Sequence, residues 1–149
     1  MGWNIVQGDP VGVWVVQQTK GAYHYNSTAI GLERDEQIVA GVIYENFMTT
    51  TITCHISISG RLNKKFLWAI FDYPFKVCKV DKIIAPIVAT NEKSIKLVTN
   101  MGFTEEARIK RSNGDMVFFT MLKENCRFLG DKYEVSTDST TSTRLCSSS

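Results

Sequence analysis

A chain of 149 residues with 44% hydrophobic and 21% charged residues has the composition of a globular protein, and its length fits one domain that folds without metals or disulfide staples. A net charge of +2 supplies no general field for a polyanion, so charge gives no reason to expect nucleic-acid binding. The apolar runs stop short of the ~20 residues that span a bilayer. The start "MGWNIVQGDP" has neither the basic end nor the apolar core of a signal peptide, so no membrane role and a cytoplasmic location are expected.

In chain order, Asp9 and Pro10 read as an N-cap and first helical residue, opening a helix to about Gln18 that Gly21 closes. Val11, Val13, Trp14, Val15 and Val16 read equally well as a strand. "STAIGLERDEQIVAGVIYENF" has two β-rich runs around a polar turn at Arg34 to Glu36, the pattern of an antiparallel hairpin. In "TITCHISIS" Ile52, Cys54, Ile56 and Ile58 alternate with Thr53, His55 and Ser57, so a third strand follows. After Gly60, Phe66, Leu67, Ile70 and Phe71 fall at helical spacing, and Pro74 should end or kink that helix beside Tyr73. "KIIAPIVAT" is a buried type of strand. Residues 92–101 form a helix with Gly102 as its left-handed stop and Phe103 folding back on Val98. "TEEARIK" and "MVFFTMLK" are two strands joined by "RSNGD".

The strand, helix, strand unit over 51–88 implies a right-handed parallel crossover in a mostly antiparallel sheet. Residues 136–149, ten Ser or Thr in fourteen, are too polar to offset their ordering entropy and are expected to form a disordered tail. Cys54, Cys78, Cys126 and Cys146 include no pair at zinc-ligand spacing, so no metal is expected and reduced thiols are. Trp68, Phe71, Tyr73 and Phe75 are assigned to core packing.

This order, with Asn91, Ser94, Leu97 and Gly102-Phe103 spaced as in "NEKSIKLVTNMGF", resembles the GCN5-related N-acetyltransferase superfamily over roughly residues 27–130. The phrases "FDYPF", "GFTEEARIKR" and "KENCRFL" resemble its small members encoded by tailed bacteriophages, which implies the host cytoplasm. The resemblance implies a single α+β domain over residues 1–135. Its mixed central sheet would be mostly antiparallel, with one parallel, splayed strand pair and flanking helices. It also implies transfer of an acetyl group from acetyl-CoA to an amine by direct attack. The acceptor would be a protein N-terminus, a lysine or a small molecule.

On the same resemblance the splayed strands are 51–59 and 82–88, and the pantetheine arm bonds to backbone exposed near Ile56 and Ile58. The pyrophosphate falls at Gly60 to Lys65, where Arg61, Lys64 and Lys65 offer cationic side chains at a helix start. Asn91 matches the position that bonds the cofactor arm, with Ser94 beside it. Asn91 is equally a natural N-cap, and Arg61, Lys64 and Lys65 equally suit a solvated corner.

Two departures stand out. The family's loop carries small residues where Lys64 and Phe66 stand here, and glycine serves there because bare backbone must approach the phosphates. The tyrosine that commonly protonates the leaving thiolate would be residue 98, which is valine. Tyr73 and Tyr44 are the substitutes without positional support.

For the general base, His55 is the first candidate, because it lies on the polar face of the strand bordering the cofactor; a lone histidine there also serves as a plain sheet-surface hydrogen-bonding group. Glu45 can take the same part directly or through water, and His24 in "AYHYN" is placed on the acceptor side. The second reading is a non-catalytic phage accessory or virion protein that keeps the fold and binds another protein. The two readings separate at residues 60–66: Phe66 or Lys64 filling the cleft would favour the second.

Overall fold

The chain runs β1 (Trp3–Gln7), α1 (Asp9–Thr19), β2 (Thr28–Arg34), β3 (Gln37–Glu45), β4 (Thr51–Ile58), α2 (Lys64–Asp72), β5 (Lys82–Val88), α3 (Glu92–Met101), β6 (Thr104–Ile109) and β7 (Met116–Leu122). This computed structural model describes residues 2–19 and 22–130; the expected tail at 136–149 and the helix stop at Gly21 lie outside them. The strands form one sheet in the order β1-β2-β3-β4-β5-β7-β6. Every neighbouring pair is antiparallel except β4 and β5. The fold is thus the mixed α+β arrangement expected, with the parallel junction between residues 51 and 88.

Residues 3–7, to which the sequence pattern assigns no element, form edge strand β1 against β2. The helix that follows begins one residue earlier than the Asp-Pro pair suggests. Gly8 holds φ at 98°, a conformation open to glycine, and its carbonyl accepts from Gly12 N at 3.2 Å. Gly8 is therefore the capping position and Asp9 the first helical residue, where its carboxylate accepts from Tyr23 OH at 2.9 Å.

Helix α1 lies on β2 and β3 through a platform of two glycines. Gly31 and Gly41 are direct cross-strand partners, and Val11 and Val15, both fully buried, pack onto them with Ala29 and Ile43. A Cβ at Gly41 would lie 2.6 Å from Val15 Cγ2 and 3.0 Å from Val11 Cγ1. Gly41→Ala is expected to cost about 1–3 kcal/mol by overpacking, read from the urea midpoint; an unchanged midpoint would show that α1 rides freely on the sheet.

The opposite face carries the main core. Ile52, Cys54 and Ile56 of β4 meet Phe66, Ile70 and Phe71 of α2 there. Asn63 caps α2, its Oδ1 accepting from Phe66 N at 2.8 Å. The α-helical pitch ends at Asp72, as Pro74 requires, but the chain keeps coiling as a π-helical turn over Tyr73–Val77. Phe71 stacks on Phe128 at 4.8 Å between ring centres. Phe128 belongs to a short 3-10 turn at Arg127–Leu129.

Helix α3 stops as the Gly-Phe signal implies. Gly102 adopts φ 110°, Gly102 N donates to Thr99 O, and Phe103 N donates to Val98 O at 3.0 Å, the two bonds of a Schellman motif. Arg127 donates to the carbonyls of Met101 and Asn100, adding a cation at the negative end of the helix. Cys54 and Cys126 are free thiols, in keeping with the reduced state expected, whereas Cys78 is disulfide-bonded and departs from it.

Candidate active site in the splayed strands

Strands β4 and β5 pair at only three positions, Thr51 with Lys82, Ile52 with Ile83 and Thr53 with Ile84. From Cys54 and Ala85 onward they part, although both strands continue. Backbone groups on the facing edges then have no partner strand, the condition under which a ligand can take a strand's place. Pro86 fits here: it has no N–H to donate, and beyond Ile84 no β4 residue stands opposite to receive one.

The gap holds a cavity of about 200 Å³ between Cys54, His55 and Ile56 on one side and Ala85 to Val88 on the other. A second cavity of about 500 Å³ adjoins it toward the strand ends, with Ser57 and Ile58 of β4 opposite the exposed stripe of α3. Thr19, Ile56, Asn91 and Ser94 line both. No aspartate or glutamate among the described residues lines either.

Most of the residues singled out from the sequence meet here. Ile56, Asn91 and Ser94 line both cavities and Ile58 the second. Asn91 is the N-cap it resembles, its Oδ1 accepting from Ser94 N at 3.2 Å, which leaves the side-chain amide nitrogen as a donor at the cavity wall. Arg61, Lys64 and Lys65 are exposed at the start of α2 and line neither cavity. Phe66 is fully buried in the main core, so neither it nor Lys64 fills the gap. His24 is exposed and lines neither cavity.

His55 and Glu45 come together. His55 Nε2 lies 2.9 Å from Glu45 Oε2, with the two side chains 29% and 25% exposed. Their meeting depends on register: Glu45 pairs with Thr53, so His55 is the diagonal neighbour on the same sheet face. That register is set by the turn after Glu45, in which Asn46 and Thr49 take φ of 55° and 64°. A β-branched threonine there costs about 1–3 kcal/mol of strain, a burden that clusters at functional sites. Glu45 Oε1 is buried without a hydrogen-bond partner. An ionised Glu45 accepts from Nε2–H, which leaves the lone pair of His55 on Nδ1.

Tyr44 and Tyr73 do not reach the cavities. Tyr44 OH donates to Ile70 O and Tyr73 OH to Thr28 Oγ1 at 3.1 Å, and both rings are buried in the main core. Cys54, at the narrow end of the gap, is fully buried, and burial pushes its thiol up to about 12. It stays protonated at neutral pH and is no nucleophile. The pattern-based reading did not single out Gln18 and Thr19 of α1 or Lys93 and Lys96 of α3, which also line the second cavity. The lysines had a legible signal: with Leu97 and Asn100 they occupy one helix face at spacings of three and four.

No family model and no curated protein matches the sequence. Solved structures do. A chimera of the spermidine N-acetyltransferase SpeG from Vibrio cholerae and hSSAT matches with a TM-score of 0.64 at 12% identity, over 86% of this chain and 99% of that one. The N-acetyltransferase PseH of Campylobacter jejuni, in complex with acetyl coenzyme A, matches with a TM-score of 0.58 at 15% identity, over 81% and 99%. The chain has the fold of these N-acetyltransferases.

Proposed function

We propose that this protein is an acyl-CoA-dependent N-acetyltransferase that moves an acetyl group from acetyl-CoA to an amine by direct attack. The observation that carries this reading is the His55–Glu45 pair beside the narrow end of the gap between β4 and β5. The gap suits an extended arm, since strand edges at Cys54 to Ile58 offer hydrogen bonds to a chain lying between them. Asn91 and Ser94 would hold that arm from the α3 side, and the backbone of Ile56 and Ile58 from the β4 side. The carrier supplies an activated thioester.

His55 Nδ1 would take the amine proton as nitrogen attacks, and Glu45 would hold the imidazole in the required tautomer and stabilise its cation. The first turn of α2 offers the unpaired amides of Lys64 and Lys65 near the strand end, beside the cationic Arg61. With Tyr44 and Tyr73 held in the core, the thiolate would leave without a tyrosine acid, which a thiol of pKa ~8.5 permits.

The acceptor classes remain a protein N-terminus, a lysine or a small amine. The SpeG neighbours are named for spermidine, which makes polyamines the first compounds to assay. The phage-like phrases favour a phage-encoded enzyme of the host cytoplasm; among the described residues no helix is long and apolar enough to cross a membrane. Phe66 or Lys64 in the gap would have favoured the non-catalytic reading, and neither lines it.

Titration calorimetry with acetyl-CoA tests the proposal. Micromolar binding is expected, and Ser94→Tyr, which puts a bulky ring where both cavities meet, should weaken it at least tenfold without unfolding the protein. No binding by the wild-type chain at millimolar acetyl-CoA would end the acetyltransferase reading.

A further inference from the structure

The larger cavity is walled on the α3 side by Lys93 and Lys96, with Leu97 and Asn100 on the same helix face. Neither lysine forms an ion pair among the described residues. Glu92, the one carboxylate of α3, does not line the cavity. Two ammonium groups one turn apart repel each other weakly, and an anion between them reverses the sign. The three cations at the start of α2 line neither cavity, and Lys64 and Phe66 carry side chains where a phosphate-cradling loop keeps its backbone bare.

We infer that Lys93 and Lys96 form an anion subsite for the phosphate groups of the acyl carrier, so that the positive charge they meet comes from α3 and not from Arg61, Lys64 and Lys65 at the start of α2. The inference rests on the acyl-CoA reading of the gap. The ammonium groups act as point charges on flexible stems, so the subsite demands charge more than fixed geometry. Each phosphate contact made this way is screened by salt.

Calorimetry with acetyl-CoA on three double variants tests it. K93Q/K96Q should raise Kd tenfold or more with an unchanged thermal midpoint. K93R/K96R, which keeps the charge, should bind within about threefold of wild type. K64Q/K65Q should lose less than K93Q/K96Q. Wild-type affinity in K93Q/K96Q, an equal loss in the arginine variant, or a greater loss from K64Q/K65Q would each overturn the subsite while leaving the acetyltransferase reading in place. Failure of the wild-type chain to bind acetyl-CoA would remove that reading, and the subsite with it.

Discussion

His55→Ala is expected to lower kcat for acetyl transfer by roughly 10²–10⁴-fold, the range for loss of a general base, which corresponds to about 3–5 kcal/mol of barrier. Acetyl-CoA binding should persist, since the contacts proposed for the arm are β4 backbone, Asn91 and Ser94 and not the imidazole. Glu45→Gln should fall in the same range for a different reason. The 2.9 Å contact between Nε2 and Oε2 requires one group to donate, and a carboxylate can only accept. A glutamine amide can donate to Nε2, which moves the ring hydrogen to Nδ1 and leaves no lone pair there. The double variant should then be little worse than either single one, because the two residues act as one unit. Steady-state kinetics over a panel of polyamines, lysine peptides and small amines would measure this. A His55→Ala enzyme with wild-type kcat would remove the pair from the chemistry.

Phe71→Ala is expected to destabilise the fold by about 3–5 kcal/mol, a large part of the ~5–15 kcal/mol typical of a domain. The ring is 2% exposed and lies nearly parallel to Phe128, at an interplanar angle of 9°, with Phe103 at 6.3 Å. It joins α2, the α3 stop and the turn after β7 in one contact. Truncation would leave a cavity that three separate elements must close. Because Arg127 precedes Phe128 and holds the last carbonyls of α3, the loss should also loosen the end of that helix. Chemical denaturation gives the number, and a change below 1 kcal/mol would mean that these elements are held by other contacts.

Most elements were legible because their signals are local. Strict alternation of Ile52, Cys54 and Ile56 with His55 and Ser57 marks β4, and Gly102-Phe103 marks the α3 stop through two backbone bonds. Edge strand β1 was not legible, since Trp3 to Gln7 lack alternation and gain their state from pairing with β2. The helix cap falls on Gly8 and not on Asp9 because the chain reverses at Gly8, a demand made by the strand before it. In the site, His55 and Glu45 were individually visible as polar groups near strand ends. Their contact was not, because it depends on the register set by a turn with two left-handed residues. The likeness to a loop motif drew attention to Arg61, Lys64 and Lys65. The cationic residues that line the larger cavity come instead from α3, which only the crossing of elements reveals.

The sheet has a seam. Among the described residues, three paired positions between β4 and β5, with Asp81 N and Lys82 N donating to Thr50 O just before them, connect the half of the sheet built from β1 to β4 with the half built from β5, β7 and β6. Past those rungs the two halves are joined through side chains and the α2 connection. Anything extended that lies in the gap and bonds to both edges acts as the missing strand, so ligand and scaffold share one hydrogen-bond ladder. The molecule would be sewn more tightly shut by its own substrate, and product release would mean unpicking part of the sheet.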